Sequence, residues 1–185
     1  MAHHQQQKYV EAVKYIFPEF FKWKSVLDIG SLDINGNNRV FFENCEYTGI
    51  DVGEGPNVDV VSLGHLYEPY TQYDTIISTE CFEHDKFYAL TMQNAVRLLK
   101  PGGMFVFTCA TLGREEHGVS TNNSQWASPL TTQRADWHNY YKNLTSEDVR
   151  AVLPVDSIFS KYQFTHVEKP MQDLYFFGVK RLDVK

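Results

Sequence analysis

Two carboxylates and one imidazole crowd into a single short stretch, Glu80-Cys-Phe-Glu83-His84. An imidazole titrates near neutral pH, so His84 is suited to take a proton from an O–H or N–H group, and Glu83 beside it could orient the ring. The plainer alternative is that Glu83 and His84 only hydrogen-bond neighbouring loops. His117 closes a second polar stretch, Arg114-Glu-Glu-His117, where it could act as a further base or, with Arg114, hold an anionic or hydroxylated group. A solvated loop is the competing reading there. A third pattern concerns binding. Gly30 follows the apolar run Val26-Leu-Asp28-Ile, and Asp51 ends the segment Tyr47-Thr-Gly-Ile-Asp twenty-one residues later. A glycine at such a turn lets backbone approach a ligand, and an acid ending the next strand can accept both hydroxyls of a ribose. The pair points to an adenosine-type ligand.

These groups meet only if a sheet brings them to one edge. Residues 25–29, 47–50, 58–61, 73–78 and 104–109 are short apolar runs bounded by turn residues and are expected to be strands. Gln5 to Phe17 has helical periodicity and stops at Pro18, and Tyr88 to Leu99 is a second helix stopped by Pro101-Gly-Gly103. Strands alternating with helices imply a parallel sheet covered on both faces, and the carboxyl ends of its strands are where ligands bind. The tail changes rhythm. A helix over residues 145–153 opens on a Thr145/Asp148 capping signal, and strands over 159–168 and 174–179 are joined by a turn containing Pro170. The expected fold is α/β, a Rossmann-like, mostly parallel sheet flanked by helices and closed by an antiparallel C-terminal hairpin. One domain spans 1–185, with an N-terminal helical segment at 1–24 and a long loop or lid at 110–143. That loop carries Trp126, Trp137, His138, Tyr140 and Tyr141, which could cover a bound ligand, a cationic one included, or form a minor core beneath the loop.

Composition narrows the function. The chain has 185 residues, 43% of them hydrophobic, and a formal net charge of −6 with its cations scattered, so a nucleic-acid partner is not expected. No apolar run approaches the ~18–20 residues that cross a bilayer, and residues 1–8 lack a signal-peptide core. His3 and His4 read as a solvated end. Cys45, Cys81 and Cys109 have no metal-type spacing. Reduced thiols in a cytoplasmic protein are expected.

The run Val26-Leu-Asp28-Ile-Gly30 resembles the first motif of class I S-adenosylmethionine-dependent methyltransferases. Tyr73-Asp-Thr-Ile-Ile-Ser-Thr79-Glu80-Cys-Phe-Glu83-His84 is similar to the fourth motif of the same family, and Leu98-Leu-Lys-Pro-Gly-Gly103 to its lead into strand five. With Asp51, the likeness covers residues 25–109. A dehydrogenase would show Gly-x-Gly-x-x-Gly, which is absent. The resemblance implies S-adenosylmethionine as cofactor, S-adenosylhomocysteine as product, and direct in-line transfer of the methyl group, in which alignment supplies most of the rate. It implies a cofactor site built from Asp28, Gly30, Ser31, Asp33, Gly36, Asp51, Val52, Leu63, Gly64, His65, Thr79 and Glu80, with His84, His117 and Glu83 on the acceptor side. The family's turn is usually Gly-x-Gly-x-Gly; here it is lengthened to Gly30-Ser-Leu-Asp-Ile-Asn-Gly36, in which Ser31 and Asp33 are expected at the amino-acid end of the cofactor and Gly36 is expected to open a helix. The acid that usually holds adenine after strand three is replaced by Leu63, so backbone N–H groups of residues 63–65 are expected to take that role. Ubiquinone-pathway O-methyltransferases with similar Glu-x-x-Glu-His segments suggest one more reading, a divalent metal held by Glu80, Glu83 and His84. It carries less weight than the other two, and no metal ligand is assigned from the sequence.

Motifs of base-amino and cytosine-C5 methylation are missing, so a small molecule or metabolite-sized moiety is the expected acceptor, with oligomeric state left open. A binding module that holds S-adenosylmethionine without turnover, to regulate or scaffold a partner, is the alternative from a different class.

Overall fold

The computed structural model describes residues 4–120, 134, 137 and 139–184. Trp126, His138 and His3 lie outside the described residues. The chain opens with α1 (His4–Ile16), whose Val10 and Val13 are buried one helical turn apart, and a 3-10 turn at Pro18–Phe20 follows. Then come β1 (Ser25–Ile29), β2 (Glu46–Asp51), β3 (Val60–Val61) and β4 (Tyr73–Thr79). Helix α2 (Tyr88–Leu98) leads straight into β5 (Leu99–Ala110). The tail is α3 (Ser146–Val152), the single turn α4 (Val155–Ile158), β6 (Phe159–Val167) and β7 (Asp173–Lys180).

The seven strands form one sheet in the order β3-β2-β1-β4-β5-β7-β6. Strands β1 to β5 pair parallel with one another, whereas β7 runs antiparallel to both β5 and β6. The expected α/β architecture with a closing hairpin is therefore what forms. Strands β1, β4 and β5 are buried on both faces, which is why they are continuous apolar runs rather than alternating ones. One face packs Leu27, Ile29, Ile76, Phe105, Phe107 and Phe176 against α2, α3 and α4. The other packs Val26, Ile77, Met104, Val106 and Phe177 against Val10 and Val13 of α1, with Phe17 and Phe21 just beyond it. Among the described residues, no helix is long and apolar enough to cross a membrane.

Two expectations need correction, and one element was not foreseen. Gly36 does not open a helix: between β1 and β2 the described helical structure is one 3-10 turn, Arg39–Phe41. Asp33 explains why, because its carboxylate accepts from the Gly36 N–H at 2.8 Å and from the Asn37 amide at 2.6 Å, closing a side-chain turn that competes with helix. The segment Pro101-Gly-Gly103 does not separate α2 from the fifth strand. It is a bulge inside β5, with Leu99 opposite Tyr73 and Met104 opposite Thr75. The turn α4 was not expected, since four residues give too short a period to read.

Helix α3 shows how local chemistry sets a boundary. Thr145 Oγ1 accepts from the Asp148 N–H at 3.1 Å, and the Asp148 carboxylate accepts from the Thr145 N–H at 2.9 Å, completing a capping box. Thr145→Ala is expected to cost about 1 kcal/mol of global stability in a denaturant titration, through loss of that cap. An unchanged midpoint and slope would show that packing of Val149 alone holds the helix.

Candidate functional site

A cleft opens at the carboxyl ends of β1, β2 and β4. Ile29 and Gly30 from β1 and its turn, Ile50 and Asp51 from β2, and Glu80 just after β4 form its floor. Leu32, Ile34, Val52, Ser62 and Gly64 wall one side, and Cys81, His84, Asp85, Gly118 and Trp137 the other.

Gly30 has φ +77°, a left-handed value that suits glycine, and a Cβ on it would sit 2.5 Å from Cys81 Sγ. The turn it makes is held by paired donors: the N–H groups of Gly30 and Ser31 both reach the Ile50 carbonyl, at 2.9 and 3.0 Å. Asp51 stands at the cleft edge with one carboxylate oxygen accepting from Leu32 N–H at 3.0 Å and the other from Val52 N–H at 2.7 Å. Its pKa is raised, because burial outweighs those two bonds.

Of the expected cofactor residues, Gly30, Asp51, Val52, Gly64 and Glu80 line the cleft. The others stand behind it. Asp28 points to the opposite face of β1, where its carboxylate accepts from Tyr47 Oη–H at 2.6 Å and the Asn38 amide at 3.2 Å. The same amide reaches Thr79 Oγ1 at 3.1 Å. Burial lifts the Asp28 pKa from 3.8 to about 6, against the pull of Tyr47 and Asn38. Ser31 Oγ donates to the Asn57 carbonyl, and Asp33 holds its own turn rather than reaching the cleft. Gly36 passes under Gln7 of α1, where a Cβ would meet the Gln7 amide at 2.3 Å. Leu63 precedes the 3-10 turn Gly64–Leu66, and the His65 ring packs on Phe87 at 4.4 Å. The Gly64 carbonyl, at the cleft wall, accepts from the Asn94 amide.

The residues expected on the acceptor side, Glu83, His84 and His117, do come together. His84 and His117 rings lie 5.2 Å apart and perpendicular, and Tyr141 touches both, at 5.4 and 5.1 Å. Trp137 Nε1 donates to the His84 carbonyl, and Lys142 N–H to the Glu83 carbonyl at 2.9 Å, so the chain returning from the long connection closes over this end. Burial, with His117 adding to it, holds the His84 pKa well below the usual histidine range, so the ring is neutral at pH 7. Glu80 and Glu83 are buried, and burial raises both pKa values; for Glu80, Glu83 and Asp173 push the same way. Glu80 accepts from Thr108 Oγ1 at 2.9 Å.

Three participants were missed. Cys81 sets the space over Gly30, Asn38 anchors the lengthened turn, and Asp173, held by Arg114 at 3.0 Å and by Gln6 at 2.6 Å, backs Glu80 and Glu83. Each depends on contacts between distant segments and carries no local pattern.

Residues 1–149 match a family model described as a methyltransferase domain. Among curated proteins, no sequence matches the chain. Solved structures do. The 1,6-didemethyltoxoflavin-N1-methyltransferase of Burkholderia thailandensis, with bound 1,6-didemethyltoxoflavin and S-adenosylhomocysteine, is similar at TM-score 0.59 and 15% identity, over 98% of this chain and 92% of that one. N-methyltransferase NodS from Bradyrhizobium japonicum WM9 gives 0.56 and 13%, over 95% and 96%. Phosphoethanolamine N-methyltransferase 2 of Haemonchus contortus, in complex with S-adenosyl-L-methionine, gives 0.64 and 14%, over 94% of this chain and 52% of that one. At these identities the likeness is one of fold.

Asp28 generates a pH prediction. An acid raised in the fold stabilises it fully below the unfolded pKa, and that contribution is lost as pH rises through the folded value. From about 6 in the fold against 3.8 ordinarily, the change is on the order of 3 kcal/mol. The stability of the wild type relative to Asp28→Asn should therefore fall by about that amount between pH 4 and 7, measured by urea unfolding at each pH. A difference independent of pH would mean that Asp28 is not held out of water.

Proposed function

The chain belongs to the methyltransferase domain family, and from that premise we propose that it transfers a methyl group from S-adenosylmethionine to a small-molecule acceptor. The observation that carries this reading is the placement of Gly30 and Asp51 at adjacent strand ends on the floor of one cleft, with His84 at its other side. The fit with the donor rests on Asp51. Each of its oxygens takes one backbone N–H and keeps a further lone pair, so the pair can accept a vicinal diol. Val52, Ser62 and Gly64 form the wall that would receive adenine, with no acidic side chain following β3 to bind it. When bound, S-adenosylmethionine supplies the electrophilic methyl.

The chain's own residues then align and exclude. Ile29, Leu32 and Ile50 give the donor half an apolar lining, and Trp137 covers the acceptor half. His84 is neutral and has a ring nitrogen, Nδ1, buried without a hydrogen bond, so it can take a proton from an acceptor O–H or N–H. Glu83 and His117 flank it. The lid role for 110–143 is supported by Trp137 and Lys142 bonding to the His84 and Glu83 carbonyls. A small acceptor is favoured over a nucleic acid by the acidic net charge and over a large partner by the recessed position of His84.

Calorimetric titration with adenosylmethionine, adenosylhomocysteine and NAD tests the assignment. Adenosylhomocysteine is expected to bind and NAD is not. Asp51→Ala, with an unchanged far-UV spectrum, should weaken adenosylhomocysteine about a hundredfold or more, since each charge-assisted bond contributes roughly 1.5–3 kcal/mol. An unchanged dissociation constant would remove the ribose from Asp51. Binding of NAD in its place would overturn the donor.

A further inference from the structure

Glu83, His84 and His117 each offer a ligand atom, and the three atoms lie within 4.8 Å of one another. We propose that these three residues form a binding site for a divalent first-row transition ion of the Zn²⁺ class. The set differs from the Glu80, Glu83, His84 trio that the sequence suggests. Glu80 is turned to β5, where it accepts from Thr108, and His117 takes its place from across the sheet.

The side chains are prepared for such an ion. Glu83 is fully buried; the backbone N–H groups of Glu83 and Ala110 lie near its carboxylate, but neither oxygen reaches a well-aligned hydrogen bond or a cationic group among the described residues. A buried carboxylate in that state costs stability unless something cationic meets it. His84 has Nδ1 buried without a partner; an ion held on that lone pair takes the place of the proton, so ion binding and the base role are alternatives for this ring. His117 Nδ1 faces the Glu115 carbonyl at 3.0 Å. That contact is a hydrogen bond only if Nδ1 carries the proton, which puts the lone pair on Nε2. Donation from the second ring nitrogen to a carbonyl is how metal-binding histidines are commonly oriented. Tyr141, packed against both rings, fixes their mutual position.

Gly118 makes the juxtaposition possible. It has φ +69°, and a Cβ there would lie 2.6 Å from Cε1 of His84, so only a residue without a side chain lets the His117 segment cross the face of that imidazole. Two imidazoles and one carboxylate suit Zn²⁺, Co²⁺ or Ni²⁺ better than Mg²⁺ or Ca²⁺, which favour oxygen ligands. Ligand atoms around a tetrahedral Zn²⁺ stand about 3.3 Å apart, from bonds of about 2.0–2.1 Å, so a contraction of up to about 1.5 Å completes the site. Because His84 and Gly118 line the cleft, the remaining coordination position opens toward the acceptor half.

The test is uptake of Co²⁺ and Zn²⁺ by the full chain after chelation and dialysis, without donor or acceptor. The role of the ion toward an acceptor rests on the methyl-transfer reading, but its uptake does not, so the failure of either leaves the other standing. One equivalent of Co²⁺ is expected to give the intense visible bands of a four-coordinate ion, displaced by Zn²⁺ and not by Mg²⁺. His117→Ala and Glu83→Gln should each weaken uptake about a hundredfold or more, with far-UV spectra unchanged in at least the half-exposed His117→Ala. Replacing His3 and His4 by Gln should leave uptake unchanged. The proposal is overturned by wild-type protein that takes up no ion, by uptake that follows His3 and His4, or by uptake that survives His117→Ala.

Discussion

The Asn38 side-chain amide donates both to Asp28 on β1 and to Thr79 on β4, and much of the cleft depends on that small knot. In a βαβ unit, a helix after the first strand would hold the binding turn by packing on the sheet. Here no α-helix forms between β1 and β2, so polar contacts do the holding. Asn38 ties the far end of the turn to two adjacent strands, the Ile50 carbonyl takes the N–H groups of Gly30 and Ser31, and Asp51 takes that of Leu32. Asn57 closes the outside by donating to the Ser31 carbonyl at 2.8 Å. A loop so fixed can present backbone to a ligand without a helix beneath it. The cost is a buried acid, Asp28, held at a pKa of about 6.

The proposed acceptor end follows a similar logic at greater expense. Glu80, Glu83 and Asp173 are three buried carboxyl groups that repel one another, with Arg114 and Gln6 on Asp173 as partial compensation. Such groups destabilise a fold unless they are protonated, paired or bound to something. Groups of this kind beside a cleft, next to two adjacent histidines, are the pattern expected where side chains serve chemistry rather than stability, and they support the proposed acceptor end. Helix α1 belongs to this arrangement too. Gln6 and Gln7 bring its first turns onto Asp173 and Gly36, so the N-terminal segment braces both ends of the site.

Much of the sheet was legible because buried parallel strands leave short apolar runs, as in Val26-Leu-Asp-Ile and Thr75-Ile-Ile-Ser, and because Thr145 and Asp148 write a cap locally. Gly30 and Asp51 could be read as a pair since strand order in a parallel sheet makes their ends neighbours. The helix expected after Gly36 failed on local chemistry that was also present: Asp33 followed three residues later by glycine, then Asn37 and Asn38, favours side-chain turns over helix. Other features had no local trace. The contact of Cys81 with Gly30 and the meeting of His117 with His84 depend on how the strands register and where the chain returns across the sheet. Ser31 and Asp33 were read toward the ligand from their position in the turn, yet their side chains are taken up by Asn57, Gly36 and Asn37.

The central claim is that the cleft over β1, β2 and β4 holds the methyl donor with its ribose on Asp51 and its sulfur facing the His84 and His117 end. A crystal structure of the adenosylhomocysteine complex measures this directly. The account predicts both ribose hydroxyls within about 2.6–3.2 Å of the Asp51 carboxylate, and the sulfur between Gly30 and the His84 ring. Nucleoside density seated elsewhere, or a ribose that leaves Asp51 bonded only to Leu32 and Val52, would contradict it.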